Sequence, residues 1–288
     1  MDEEPDKLRL DRFRSITTDE LRSRSKQLRL DILSVIANAP MGHYSSSLSS
    51  AEILITLYHH VLRLRKGDPT WSDRDRFLLG KGHIGVALWP LFAELEFFPR
   101  EWLDSFGGLD SKLTDHPDML RTPGVDFSSG SLGHNLSVGL GMALASRIQK
   151  KDHRIYVLLG DGEMHEGQVW EAIMAASHYK AGNLVAIVDA NGSCGDGPTE
   201  DVMSIEPLVQ RFTSFGWSCS EVDGHDPEVL MNAFSDAMTD SDTPSCIVAR
   251  TLKGKGISFM EASPREWHLG SLGPKDLEQA RQEIAESD

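Results

Sequence analysis

Apolar residues follow two alternating patterns along this chain. Continuous runs, Ile155-Tyr156-Val157-Leu158-Leu159 and Leu184-Val185-Ala186-Ile187-Val188, read as strands buried on both faces of a parallel sheet. Phe77-Leu78-Leu79, Ser218 to Val222 and Cys246 to Ala249 read as further strands. Helical segments lie before and between them. Thr18 to Ile36 places Leu21, Leu28, Ile32 and Val35 near one face, and Ser50 to Leu64 follows a cap at Ser49 or Ser50. Val138 to Ile148, Gln168 to Tyr179, Ile205 to Phe215 and Pro227 to Met238 complete the helical set. This alternation predicts an α/β fold with a doubly wound, mostly parallel sheet and helices on both faces. Right-handed crossovers then gather the loops after residues 159, 189, 222 and 249 at one sheet edge.

Composition narrows the class. A chain of 288 residues can bury one large core, and no flexible linker lies between Ser15 and Gly270, so a single domain is expected over 15–288, preceded by a mobile acidic arm at 1–14. A formal net charge of −15 and a pI near 5.1 argue against nucleic-acid partners. The acidic start lacks an apolar signal region, and no run approaches the roughly 20 apolar residues of a membrane span. Cys194, Cys219 and Cys246 have no metal-ligand spacing and cannot all pair, which points to a reducing cytoplasm.

The chemistry concentrates where the two long apolar runs end. Gly160-Asp161-Gly162-Glu163 follows the first and Asp189-Ala190-Asn191-Gly192-Ser193 the second. Asp161 and Asn191 are 30 residues apart, the length of one βαβ unit, so both fall at the carboxyl edge of a sheet, where open α/β folds bind ligands. Carboxylate, amide and Ser193 carbonyl oxygens suit a hard cation such as magnesium, calcium or manganese. The glycines and the N–H groups around Gly162 and Glu163 suit a diphosphate. By itself Gly-Asp-Gly is more often a plain turn, but the second acid-amide element changes that reading. A dinucleotide fingerprint is disfavoured because His165 stands where its third glycine belongs.

Together with Glu166-Gly167, Trp170-Glu171-Ala172, Asn183-Leu184 and Asp196-Gly197-Pro198-Thr199-Glu200, these motifs resemble the N-terminal half of transketolases, found as a separate chain in split enzymes. The resemblance runs from the first helix to the loop around His268. It implies a thiamine diphosphate fold, with Asp161, Asn191 and Ser193 holding the divalent cation. It further implies that Gly160, Gly162, Glu163, His83 and His268 approach the diphosphate, and that Gly130, Leu132 and Gly133 approach the aminopyrimidine.

Three more segments carry the resemblance. Gly42-His43-Tyr44-Ser45-Ser46-Ser47-Leu48-Ser49, Gly80-Lys81-Gly82-His83 and Thr114-Asp115-His116-Pro117 resemble the family's GH-x-x-x-SLS, KGH and GHP elements. It implies donor-sugar contacts for His43 and His116 and contact with both diphosphate and substrate for His83. Tyr44 and Ser45 depart from the commonest Gly-His-Pro-Gly-Gly version. Ser129-Gly130-Ser131-Leu132-Gly133-His134-Asn135 resembles SGSLGHG with Asn135 in place of glycine, so the following helix starts differently or uses Asn135 as its cap. Lys253-Gly254-Lys255-Gly256 with Trp267-His268 resembles KGKG followed by EWHG, Leu269 replacing the glycine.

In transketolases the glutamate that activates the cofactor comes from the following domain. The resemblance therefore implies a separate C-terminal subunit, an α2β2 heterotetramer inactive without it, and ketol transfer from a ketose phosphate. Glu166 is expected in a proton-linked network between paired sites. A related alternative delivers a two-carbon glycolyl unit to an acyl carrier protein in natural-product biosynthesis, and a non-catalytic scaffold is the reading from a different class.

Overall fold

The structure is a computed structural model and describes residues 9–39, 42–237 and 239–287. The chain opens with β1 (Arg9–Leu10), then α1 (Thr18–Ile36), α2 (Tyr44–Leu48) and α3 (Ala51–Thr56), which runs into a π-helical turn at Leu57–Val61. Next come β2 (Leu64–Arg65), β3 (Arg76–Leu79), a 3-10 turn at Gly82–Ala87 and α4 (Trp89–Glu94). After α5 (His134–Ile148), strands and helices alternate: β4 (Ile155–Gly160), α6 (Gly167–His178), β5 (Leu184–Ala190), α7 (Thr199–Val202), α8 (Leu208–Ser214), β6 (Ser218–Asp223), α9 (Pro227–Asp236) and β7 (Ser245–Arg250). Helices α10 (Ser258–Ala262) and α11 (Pro274–Glu286) close the described chain.

Strands β3 to β7 form one sheet in the order β3-β4-β5-β7-β6, every pair parallel. The strand alternation separates two cores. Tyr156, Leu158, Val185, Ile187, Ile247 and Ala249 pack with α1, α3, α4 and α9 on one face. Ile155, Val157, Leu159, Leu184, Ala186 and Val188 pack with α5, α6 and α8 on the other. This is the doubly wound α/β architecture the apolar pattern predicted. Connections from neighbouring strands also leave toward opposite faces: β5 feeds the second face, while its neighbour β7 feeds α10 and α11 on the first. Loops that part in this way open a crevice at the carboxyl edge.

Several boundaries differ from the sequence expectation for local reasons. The helix expected over 50–64 stops at Val61 because Arg14 inserts its guanidinium into the last turn, donating to the carbonyls of Tyr58, His59 and Leu62. The same contacts tie residues 9–14 to the body of the fold. Residues 9–10 pair with 64–65, and Arg12 donates at 2.6 Å to buried Asp75; residues 1–8 lie outside the described ones. Pro207 caps α8, so that helix begins at Leu208 instead of Ile205. Helix α9 ends at Asp236, and Met238, its expected end, lies outside the described residues.

Helix α5 starts at His134, four residues early. Gly133, at φ 85°, makes the turn into it and occupies the cap position expected of Asn135. Asn135 is instead buried, and its amide donates to the carbonyl of Leu79 at 2.8 Å and to Ser129 at 3.2 Å, tying this loop to the end of β3. All three cysteines are free thiols. Among the described residues no helix is long and apolar enough to cross a membrane.

Candidate cofactor site

The sheet register brings the candidate loops together. Leu79 pairs with Leu158, Gly160 with Asp189, and Ala190 with Arg250, so the segments at 80–83, 161–166, 191–196 and 251–256 leave one edge side by side. They enclose a cavity of about 370 Å³ lined by Lys81, His83, Leu132, Gly160 to Glu163, Glu166, Asn191, Ser193, Cys194, Lys253 and His268, among others. Gly162 permits two of these loops to approach closely, since a Cβ there would lie 2.7 Å from that of Cys194.

Two buried carboxyl groups sit on the floor. Asp161 accepts from Gly162 N–H at 2.8 Å and Gly192 N–H at 2.6 Å. It is 4% exposed, and among the described residues no cationic side chain bonds to it. Burial, followed by repulsion from Asp189, lifts its carboxyl to about 6. Glu163 joins two elements, accepting from Gly133 N–H at 2.9 Å and Gly160 N–H at 3.2 Å; burial raises it to about 7.

Two lysines face these acids. Lys81 is buried in an ion pair with Asp189, which also accepts from Ser49 and Ser50 at 2.7 Å and from Thr251. Burial opposes ionisation of Asp189, but the Lys81 charge and the hydroxyl donors outweigh it and hold the carboxyl below its ordinary value. Lys253 is 2% exposed, and among the described residues it donates only to neutral partners, the carbonyls of Ser193 at 3.1 Å and Cys194 at 3.5 Å. Burial and the neighbouring Lys81 push it down to about 8.

Four imidazoles form the rim. The His43 ring centre lies 5.0 Å from that of His83, 5.4 Å from His268 and 6.0 Å from His116. Burial, then the charge of Lys81, holds His83 well below its usual value; burial and Lys253 bring His268 to about 4. Both rings are therefore neutral at physiological pH. Ser46 Oγ is 3.2 Å from His268 Nδ1.

Of the sequence candidates, Asp161, Asn191, Ser193, Gly160, Gly162, Glu163, Glu166, His83, Leu132 and His268 meet at the cavity wall. His43 and His116 stand in the rim outside it, and Gly130 and Gly133 act one layer back: Gly133 through Glu163, Gly130 beside the His116 ring. Sequence reasoning left out Lys81, Lys253 and Asp189 as functional positions. Their signal was a lysine in each glycine-flanked loop directly after a strand, and an acid at the end of an otherwise apolar run.

The profile of the family described as transketolase, thiamine diphosphate binding domain, matches residues 22–286. The chain belongs to this transketolase family. It is a transferase chain that carries the family's thiamine diphosphate binding domain. Over 271 residues it is 38% identical to one of the subunits of the apulose-4-phosphate transketolase of Phocaeicola vulgatus, covering 94% of this chain and 95% of the relative. It is 38% identical over 242 residues to the 6-deoxy-6-sulfo-D-fructose transketolase subunit SqwG of Clostridium, covering 84% and 88%. The solved transketolase of Campylobacter jejuni superposes with a TM-score of 0.86 at 29% identity. That match covers 94% of this transketolase chain but only 43% of the solved one.

Proposed function

We propose that this chain is the cofactor-anchoring subunit of a two-chain transketolase, completed by a separate C-terminal subunit in an α2β2 heterotetramer. The cavity floor carries this reading: among the described residues, the buried carboxylate Asp161 has no bonded cation, and Lys253, a buried cation lining the same cavity, has no bonded anion. Such a pair fits a divalent cation bound together with a diphosphate. Asp161, the Asn191 side-chain oxygen and the Ser193 carbonyl would hold magnesium, calcium or manganese. Lys253, His83, His268 and the backbone at 160–163 would hold the diphosphate. When bound, thiamine diphosphate supplies the electron sink for cleaving a carbon–carbon bond.

The chain's own residues would orient the sugar. His43 and His116 contact donor oxygens from the rim, His83 bridges donor and diphosphate, and Glu166 belongs to the proton-linked network reaching the partner site. Leu132, with Gly130 and Gly133 behind it, supports the aminopyrimidine side. The donor is a ketose or its phosphate: both subunit-type relatives are named for sugar substrates, which favours ketol transfer over loading of a carrier protein. Three free thiols suit a reducing cytoplasm.

Mixing the chain with the subunit encoded beside it, thiamine diphosphate, magnesium and xylulose 5-phosphate tests this reading. New ketose should form from an aldose acceptor in the mixture and with neither chain alone. A mixture that binds cofactor yet transfers nothing to any aldose would overturn it.

A further inference from the structure

We infer that Asp115 is a positioning residue that sets the tautomers of His43 and His116 and so helps select the donor sugar. It stands where the Gly-His-Pro element has its glycine, so this carboxylate is an addition to the rim. Its Oδ1 and Oδ2 lie 3.3 and 3.1 Å from His43 Nδ1, and Oδ2 lies 3.3 Å from His116 Nδ1. The carboxylate thus hydrogen-bonds to His43 Nδ1 and lies at ion-pair distance from the same nitrogen of His116. A carboxylate at Nδ1 keeps the proton there and leaves Nε2 as the free, more basic nitrogen.

The loop is held for this task. Gly85, in the turn that carries His83, lets residues 115–117 close in: a Cβ there would meet the Asp115 carbonyl at 2.6 Å and Pro117 at 3.0 Å. Thr114 Oγ1 donates to the His116 carbonyl at 2.5 Å. Asp115 is thus fixed through its backbone, while its side chain remains 35% accessible at the mouth. Two Nε2 acceptors side by side favour a donor that presents neighbouring hydroxyl protons. The bare carboxylate next to them disfavours a donor with a negative group at that end.

This inference rests on the ketol-transfer reading, and two measurements separate their failures. Long-range ¹H–¹⁵N correlation on the labelled full chain should show His43 and His116 as Nδ1–H tautomers, with mixed tautomers in Asp115→Gly. In the assembly with its partner subunit, Asp115→Gly should lose about tenfold in kcat/KM for the ketose donor, the scale of one charge-assisted hydrogen bond. Thiamine diphosphate affinity should not move, and Asp115→Asn, which keeps an acceptor, should fall between. Wild-type tautomers or unchanged donor kinetics in Asp115→Gly would overturn the role of Asp115. An assembly without ketol transfer from any donor would overturn the functional reading, and the tautomer spectra would still judge Asp115.

Discussion

Lys253 and Lys81 are both buried ammonium groups on the same cavity wall, yet their surroundings give them different work. Lys81 is neutralised by Asp189, whereas among the described residues Lys253 donates only to carbonyl oxygens. A free cation in a low-dielectric pocket attracts an anion far more strongly than one already paired. Lys253→Met should therefore weaken thiamine diphosphate binding about 10- to 100-fold at constant magnesium, the scale of a charge-assisted hydrogen bond, as read by calorimetry. An affinity within a factor of two of wild type would place the diphosphate elsewhere. The sequence could show that a lysine follows a strand here. It could not show that the lysine turns inward, because a glycine-flanked basic loop reads the same whether it is solvated or buried.

At the scale of elements, three separate segments are locked by a buried polar triad. Arg29 on α1 makes a two-pronged pair with Glu52 on α3 at 2.6 and 2.7 Å. Glu52 also meets His225 Nδ1 at 2.9 Å, and His225 Nε2 accepts from Leu252 N–H at 2.9 Å. The chain thereby braces the loop that carries Lys253 against two helices. Burial opposes the Glu52 charge, but Arg29 and His225 overcome it and hold the carboxyl down at about 2. A depressed carboxyl stabilises the fold above its unfolded value near 4.5 and loses that contribution as pH falls toward 2. Glu52→Gln should thus cost about 3 kcal/mol in urea unfolding at pH 7 by stranding Arg29. The gap to wild type should narrow as pH drops from 5 toward 2; a gap independent of pH would mean the charge is not the source. Helix α1 itself was legible, with Thr17 and Glu20 forming its capping box. The early end of the helix after α3 was not, because the guanidinium that stops it arrives from residue 14.

For the whole molecule, stability and cofactor binding should be linked. The site spans four loops of one sheet edge, and the mutually repelling Asp161 and Asp189 stand within it. Thiamine diphosphate with magnesium, bound only by the folded chain, adds about 2.7 kcal/mol at one hundred times its Kd. The melting temperature should rise with ligand concentration, and Asp161→Ala should abolish the magnesium-dependent part of that rise. An equal rise in the variant would remove Asp161 from the cation site. The parallel sheet, its two-faced cores and the meeting of Asp161 with Asn191 followed from the sequence alone, because strand burial and turn chemistry are local and leave a local pattern. Tertiary structure decided which charges are paired and which are free: Lys81 with Asp189, Lys253 with carbonyls, Asp115 against two histidines. Pairing depends on side chains that come from distant segments, and on how deeply the packed sheet edge removes each from water.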